Sequence, residues 1–126
     1  MSVIRKISIF IVDDDVNLHE LYTAVFENAG YRVAAEAYDG KEAIDIYGKM
    51  KEMIDVVLMD YRMPEMNGLE ILRRFLKMKP DAKIILASAD ESVRLLAMEN
   101  GACEFMAKPF RIDMLLKSIK CLVPCE

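Results

Sequence analysis

The sequence has no tryptophan, a single histidine and no apolar run long enough to cross a membrane. Its first apolar segment, Ile7–Val12, is followed at once by Asp13, Asp14 and Asp15. A signal peptide would instead stay apolar and end in small residues, and a membrane-spanning helix needs ~20 apolar residues. We therefore expect neither a secretion signal nor a membrane span, and we expect the protein to be cytoplasmic.

Cysteine is also scarce, and Cys103, Cys121 and Cys125 are an odd number. No histidine or further cysteine is arranged around Cys121 and Cys125, so a metal site is not expected there. We expect the cysteines to be small buried or half-buried side chains in a reducing compartment. The ten methionines are interpreted as core residues.

The charge balance excludes two broad classes of protein. The chain has 126 residues, of which 54% are hydrophobic and 30% charged, and its net charge is −4. This composition excludes a disordered chain and argues against a nucleic-acid binder, which would carry a basic face. The length predicts one domain, residues 1–126, that can bury a core without disulfides or structural metal.

Apolar segments of two kinds alternate along the chain and predict a fold class. Segments whose apolar residues recur at helical spacing alternate with short apolar runs rich in β-branched residues. The predicted strands are Ile7–Val12, Tyr31–Ala37, Val56–Met59, Lys83–Ala87 and Phe105–Ala107, and the predicted helices are Val16–Ala29, Lys41–Met50, Leu69–Met78, Glu91–Asn100 and Ile112–Leu122. Strands that are apolar on both faces belong in a parallel sheet covered by helices. We therefore predict an α/β fold, a (βα)5 doubly wound, flavodoxin-like sandwich with strand order 2-1-3-4-5.

Polar residues stand at the carboxyl ends of the predicted strands. The first strand ends at Asp13–Asp15, the third at Asp60, the fourth at Ser88 and the fifth at Lys108. Ligands of this fold bind at that edge of the sheet. Converging carboxylates repel unless a cation lies among them, and oxygen ligands favour Mg²⁺. The lysine and the hydroxyl could then hold phosphoryl oxygens, which indicates phosphoryl binding or transfer.

Each of these residues also has an ordinary structural interpretation. Asp13–Asp15 could be a solvated loop that caps a helix, and Asp60 could begin a turn. Ser88 could be a loop or cap residue, and Lys108 a surface lysine. Only their joint occurrence, each at the end of its own strand, favours a site.

Segments at these strand ends also carry a family pattern. They are Ile11–Asp14, Leu58–Glu70, Ala87–Ala89, Gly101–Ala102 and Lys108–Phe110. In this order and spacing the sequence resembles, from end to end, the receiver domain of two-component response regulators. It is similar in extent to single-domain chemotaxis regulators. The segment Leu58–Glu70 is the most specific of the five.

The resemblance implies a phosphoacceptor and a metal site. Asp60 would accept the phosphoryl group, from a phosphohistidine on a sensor histidine kinase or a phosphotransfer protein. Asp13 and Asp14 would hold Mg²⁺, Asp14 directly and Asp13 largely through water, and the backbone carbonyl of Arg62 would be a further ligand. The product would be an aspartyl phosphate that hydrolyses slowly, so no turnover of a separate substrate is expected.

The resemblance also implies a switch. Ser88 would donate a hydrogen bond to a phosphoryl oxygen, and Lys108 would pair with the phosphoryl group. The bond from Lys108 to Pro109 would be cis. Phe105 would be the rotating aromatic residue. The face formed by the fourth helix, fifth strand and fifth helix would bind an output domain or a partner protein. No direct contact with nucleic acid or membrane is expected.

Two further charges are expected to control the lifetime of the phosphorylated form. Arg62 lies two residues after Asp60, and Asp90 two residues after Ser88. In the resembled fold these positions flank the path of water toward the phosphorus. Their opposite charges suggest a pair across the mouth of the site.

Two other families remain as alternatives on the residues alone. Asp13-Asp14-Asp15-Val16 satisfies the D-x-D-x-[TV] pattern of haloacid-dehalogenase-type phosphatases, with Asp13 as nucleophile and Asp15 as acid, but the late acidic pair of that family is absent after Ala87. A flavin-binding module on the same fold would need a phosphate cradle of backbone N–H groups after the first strand. The three aspartates there would repel an uncompensated phosphate.

Overall fold

A computed structural model describes residues 5–123 as a parallel sheet between two layers of helices. The strands are β1 (Ser8–Val12), β2 (Arg32–Ala37), β3 (Val56–Asp60), β4 (Ile84–Ser88) and β5 (Glu104–Ala107). The helices are α1 (Val16–Asn28), α2 (Gly40–Met50), α3 (Gly68–Met78), α4 (Val93–Glu99) and α5 (Ile112–Leu122), and a short 3-10 helix spans Lys51–Met53. All pairings are parallel, in the order β2-β1-β3-β4-β5. The predicted fold class and strand order are confirmed.

The three central strands are buried along their whole length, because helices cover both faces of the sheet. Successive side chains alternate between two cores: Ile9 and Ile11 of β1 face the layer of α1 and α5, whereas Phe10 faces the layer of α2 and α3. There Phe10 stacks with Tyr47 and Phe75, whose own ring centroids are 4.1 Å apart. Each such fully buried side chain contributes about 1.5–3 kcal/mol. The strand ends that carry polar residues are thus fixed by the most buried part of the molecule.

Short polar side chains set the starts of three helices. Asp15 accepts hydrogen bonds from the first turn of α1, as one sequence interpretation expected, and Asp39 and Asn67 do the same for α2 and α3. These bonds satisfy N–H groups that have no partner inside the helix. The loops at the carboxyl edge of the sheet are therefore held by the helices that follow them.

The fourth helix is shorter than predicted. It begins at Val93 rather than Glu91 and ends at Glu99 rather than Asn100. The Asp90 carboxylate accepts bonds from the backbone N–H and the hydroxyl of Ser92, at 3.0 and 2.6 Å. Those bonds shape a turn in the segment that would otherwise extend the helix.

The expectations for sulfur-containing residues were wrong in part. Met59 is fully buried, but Met53, Met98 and Met114 are about half exposed, at 53%, 45% and 52%. Cys103 is half-buried, Cys121 is exposed, and Cys125 lies outside the described residues. Composition does not tell which helical face a residue occupies, so the core could not be assigned by residue type alone. Within residues 5–123, no helix is long and apolar enough to cross a membrane.

Candidate functional site

Three carboxylates from separate parts of the chain meet at the carboxyl edge of the sheet. Asp13 follows β1, Asp14 is the next residue, and Asp60 ends the neighbouring strand β3. Each offers an oxygen, and these oxygens lie within 4.8 Å of one another. Asp13 and Asp60 are buried, with 3% and 8% of their surface exposed, whereas Asp14 faces solvent. The fold holds these negative charges together, although like charges at this distance repel.

The backbone around Asp13 is tightly held. Its N–H donates to the carbonyl of Ala37 on β2 at 3.1 Å, and its side chain accepts from the N–H of Asp15 at 2.9 Å. The Asp15 carboxylate is in turn occupied by the N–H groups of Asn17 and Leu18. Asp15 is therefore a helix cap here, which removes it from the acid role that a phosphatase would require.

Close backbone packing fixes Asp60 at the end of β3. The N–H of Tyr61 donates to Ala87 on β4 at 2.8 Å, and the N–H of Gly68 donates to the carbonyl of Tyr61 at 2.7 Å. A Cβ on Gly68 would lie 2.8 Å from both the Asp60 carbonyl oxygen and the Tyr61 Cα. Glycine is needed at this position because two pieces of backbone approach too closely for any side chain.

Lys108 supplies the positive charge of the cluster. Its Nζ lies 2.9 Å from Oδ1 of Asp60 and 3.3 Å from Oδ2 of Asp13. The Lys108–Pro109 bond is cis, as the family resemblance implied, and the Lys108 N–H donates to the Ser88 carbonyl at 2.8 Å. One lysine thus bridges two acids that follow different strands.

The pKa values of this group shift because it is buried and crowded. Burial raises the pKa of the Asp60 carboxyl, and the charges of Asp13 and Asp14 add to this, which together outweigh the lowering by Lys108. Burial lowers the pKa of Lys108, but its hydrogen bond to Asp60 and the charges of Asp60 and Asp13 outweigh burial, so that pKa is raised. The lysine is held as an ammonium, and the acids remain short of positive charge.

Ser88 completes the wall of the site. It ends β4, has 5% of its surface exposed, and its Oγ accepts the N–H of Asp90 at 3.0 Å. Ser88 lines a cavity of about 290 Å³ together with Asp13, Asp14, Asp15, Leu18, Asp60, Arg62, Ala89 and Lys108. The predicted hydroxyl, lysine and carboxylates therefore share one cavity, as does Arg62.

Phe105 lies outside that cavity. It is buried in β5, with 3% of its surface exposed, and the guanidinium carbon of Arg94 on α4 lies 4.8 Å from its ring centroid. Such contact between a cation and a ring is attractive. The phenyl group is thus placed to couple α4 to β5 rather than to touch a ligand of the acidic cluster.

The expected ion pair between Arg62 and Asp90 is not present among the described residues. Asp90 is engaged by Ser92, and that contact is the main reason why the pKa of its carboxyl is lowered, with the charge of Arg62 as a minor cause. The suggested pair does not form a direct ion pair, because Asp90 has a donor two residues away in its own loop. Residue types alone do not show that local competition.

Sequence reasoning missed one residue of the site, His19. Its Nε2 lies 2.6 Å from the backbone oxygen of Asp13 and its Nδ1 3.1 Å from Oε1 of Glu36 on β2. The available signal was spacing, since residues 19, 22 and 26 share the buried face of α1. A polar residue on that face needs a buried partner.

Comparison with known proteins agrees with this geometry. The model of the response regulator receiver domain family matches residues 9–120. The chain is 36% identical to the chemotaxis protein CheY of Thermotoga maritima over 113 residues, which cover 88% of this chain and 92% of CheY. It is 35% identical to sporulation initiation phosphotransferase F of Bacillus subtilis over 120 residues, which cover 94% of each chain.

A solved structure shows the same architecture. The response regulator TrrA of Thermotoga maritima, determined in complex with Mg²⁺ and BeF, has a TM-score of 0.83 and 33% identity, over 93% of this chain and 99% of TrrA. The family match covers nearly all of the sheet and its helices, and CheY, phosphotransferase F and TrrA are each matched over more than nine tenths of their length. This chain belongs to the response regulator receiver domains of two-component systems.

Proposed function

We propose that this receiver domain accepts a phosphoryl group on Asp60. The observation that carries the proposal is the buried Asp60 carboxylate, with Lys108 Nζ at 2.9 Å and two more acids beside it. An Asp60 oxygen would attack the phosphorus of a phosphohistidine on a sensor histidine kinase or phosphotransfer protein, and the P–N bond would break as the histidine leaves. Because the transition state is loose, this transfer depends mainly on positioning and charge neutralisation.

The acidic cluster fits a magnesium ion. Its ligand atoms are carboxylate oxygens, with no histidine or cysteine among them, which is the donor set of a hard cation. Asp13, Asp14, Asp60 and the backbone carbonyl of Arg62 would hold Mg²⁺. When bound, the ion would neutralise the carboxylates and the incoming phosphoryl oxygens.

Ser88 and Lys108 would hold the phosphoryl group from the opposite side of the cavity. Lys108 already reaches Asp60, and the Ser88 hydroxyl lines the same cavity. Movement of Ser88 toward the phosphoryl group would leave space for Phe105 to turn, because Ser88 and Phe105 lie on neighbouring strands. The face formed by α4, β5 and α5 would then bind an output domain or a partner protein.

The phosphorylated form would be a signal rather than an intermediate of turnover. We propose slow hydrolysis of the aspartyl phosphate with Asp60 restored, and no separate substrate. Arg62 and Asp90 would limit the access of water from their two loops without a direct bond between them. We propose that residues 1–126 form one domain that acts in the cytoplasm, where the phosphohistidine of a kinase is made from ATP.

The assignment of Asp60 is tested by intact-mass measurement. Incubation with acetyl phosphate and Mg²⁺ should add one phosphoryl group, and chelation of Mg²⁺ should prevent the addition. Asp60→Asn should remove it completely, whereas Asp55→Asn, at the other end of the same strand, should not. A mass gain that persists in Asp60→Asn would contradict the proposal.

A further inference from the structure

The single histidine of the chain is buried beside the acidic cluster. His19 lies in the first turn of α1, with 2% of its surface exposed, and it shares the buried face of that helix with Tyr22 and Phe26. Helical side chains lean toward the amino end of their helix. The ring therefore reaches back over the loop that carries Asp13. Membership of the family does not by itself require a buried residue of α1 to contact this loop.

Both ring nitrogens of His19 are used. Nε2 lies 2.6 Å from the backbone oxygen of Asp13, and because a carbonyl oxygen can only accept, Nε2 carries a hydrogen. Nδ1 lies 3.1 Å from Oε1 of Glu36 on β2, an acceptor that Nδ1 can bond only as a donor, and the Thr23 hydroxyl donates to that same oxygen at 3.3 Å. The Tyr38 ring covers the imidazole, with the centroids 4.1 Å apart. The imidazole is thus held by the side chain of Glu36 on β2 and by the ring of Tyr38 just after that strand.

This arrangement anchors Asp13 from both sides of its backbone. The Asp13 N–H is bonded to β2 through Ala37, and its carbonyl is bonded to α1 through His19. With both peptide groups bonded, the backbone of Asp13 is held in place, and from there its carboxylate accepts the N–H of Asp15 and reaches Lys108. Without the imidazole, a buried carbonyl would lose its donor and the loop would be free to turn.

We propose that His19 is a positioning residue for Asp13, and that Glu36 orients the imidazole from the edge strand. The inference rests on the proposed function, because its consequence is the readiness of the acidic cluster to bind a divalent cation. Contacts that orient the ligands of a metal site commonly change metal affinity by about 10–100-fold. His19 holds the backbone of a ligand rather than its carboxylate, so we expect the lower end, about tenfold.

Two substitutions at position 19 distinguish the hydrogen bond that the imidazole donates from the contribution of its volume to packing. His19→Leu keeps an apolar side chain but has no donor. His19→Gln carries an amide Nε2–H at the same distance along the side chain as the imidazole Nε2. The matched control is Phe26→Leu, which loosens the same buried face of α1 without contact to Asp13. Glu36→Ala, on the edge strand β2, removes the carboxylate beside Nδ1 together with its bond from Thr23, and it serves if His19→Leu does not fold.

The primary measurement is calorimetric titration of Mg²⁺ into each unphosphorylated variant. The dissociation constant should rise about tenfold in His19→Leu and less in Glu36→Ala, and it should stay near the parent value in His19→Gln and Phe26→Leu. Thermal unfolding without metal shows which variants are merely destabilised. If His19→Leu binds Mg²⁺ like Phe26→Leu, or if His19→Gln is as weak as His19→Leu, the inference is overturned. Absence of Mg²⁺ binding in the parent would instead contradict the proposed function.

A second measurement needs no metal. Since the chain has one histidine, a proton–nitrogen spectrum of its imidazole is assigned without ambiguity. We expect an Nε2-bound hydrogen protected from exchange with solvent in the parent. Glu36→Ala should accelerate its exchange. A ring whose Nε2 carries no hydrogen in the parent would exclude the bond to Asp13.

Discussion

An aspartate precedes strand β3 and another ends it, and the two carboxylates have opposite surroundings. Asp55, just before the strand, accepts two bonds from the guanidinium of Arg5 at 2.6 and 3.0 Å and one from the N–H of Ser8 at 2.7 Å. Asp60, the last residue, shares the ammonium of Lys108 with Asp13. One carboxylate is fully paired, and the other lies in a cluster with an excess of negative charge.

The difference shows what each end of the sheet is built to do. The paired carboxylate of Asp55 connects the start of β1 to the start of β3, and its oxygens are already used in hydrogen bonds. A buried carboxylate with too little positive charge is unfavourable on its own, and the raised pKa of Asp60 reflects this. The buried strands compensate for that cost, because the hydrophobic core holds the acids in place. Binding of a cation would relieve the repulsion.

The largest effect should follow from exchanging Lys108, the lysine that contacts both Asp60 and Asp13. Lys108→Arg keeps the charge but replaces a compact ammonium by a broad planar group that does not fit between Asp60 and Asp13. We expect the rate of phosphorylation by acetyl phosphate to fall by about tenfold or more, equivalent to ~1.4 kcal/mol in the barrier. Lys117→Arg, on the exposed face of α5, is the control. Equal rates in parent and Lys108→Arg would make Lys108 an ordinary surface lysine.

A second change disturbs the Asp60 end without altering its charge. Gly68→Ala would push a Cβ against the backbone of Asp60 and Tyr61, and such overpacking costs typically about 1–3 kcal/mol. The free energy of unfolding, from denaturant titration, should fall accordingly. Gly48→Ala in α2 meets only Met78, at an ordinary 3.7 Å, and should be neutral or stabilising by up to about 1 kcal/mol. Equal free energies of unfolding of the two variants would show that the backbone near Gly68 moves to accept a Cβ without loss of stability.

Replacing Asp14 in the acidic cluster and Asp55 before β3 by asparagine tests directly whether the two ends of the sheet differ in this way. Asp14→Asn should raise the metal-free melting temperature, because it relieves repulsion in the cluster. The same substitution should also reduce the further rise that Mg²⁺ produces by binding the folded state. Asp55→Asn should lower the melting temperature by a similar amount with and without Mg²⁺. Calorimetric scans of the parent and both variants, with and without Mg²⁺, give the six melting temperatures. An Asp14→Asn variant that responds to Mg²⁺ like the parent would remove Asp14 from the metal site.

The smallest effect is expected at the mouth of the cavity. Since no ion pair joins Arg62 and Asp90 in the described part of the chain, their removal opens the site only slightly. Replacing both by alanine should speed loss of the phosphoryl group by about two- to threefold. Decay is followed by intact mass after the donor is removed, in the parent, both single variants and the double variant. Identical decay in all four would leave these residues without a gating role.

The sequence predicted the sheet well because its strands are continuous apolar runs that end at charges. Asp60, Ser88 and Lys108 could be assigned to one edge from topology alone. The bond between Asp90 and Ser92 could not, because it depends on the torsion angles of an exposed loop. His19 was missed for a different reason: helical spacing places it on the buried face of α1, but its contact with Asp13 is to a backbone oxygen, which residue types do not indicate.

The distance along the chain between the acids and their lysine has a consequence for synthesis. Lys108 and Asp13 are 95 positions apart, and chains leave the ribosome amino end first. Asp13, Asp14 and Asp60 are all made before Lys108, the lysine that pairs with two of them. A prematurely terminated product that ends before Lys108 would gather the negative charges without their partner. The site proposed to receive the phosphoryl group would therefore be complete only after β5 and Lys108 have been synthesised.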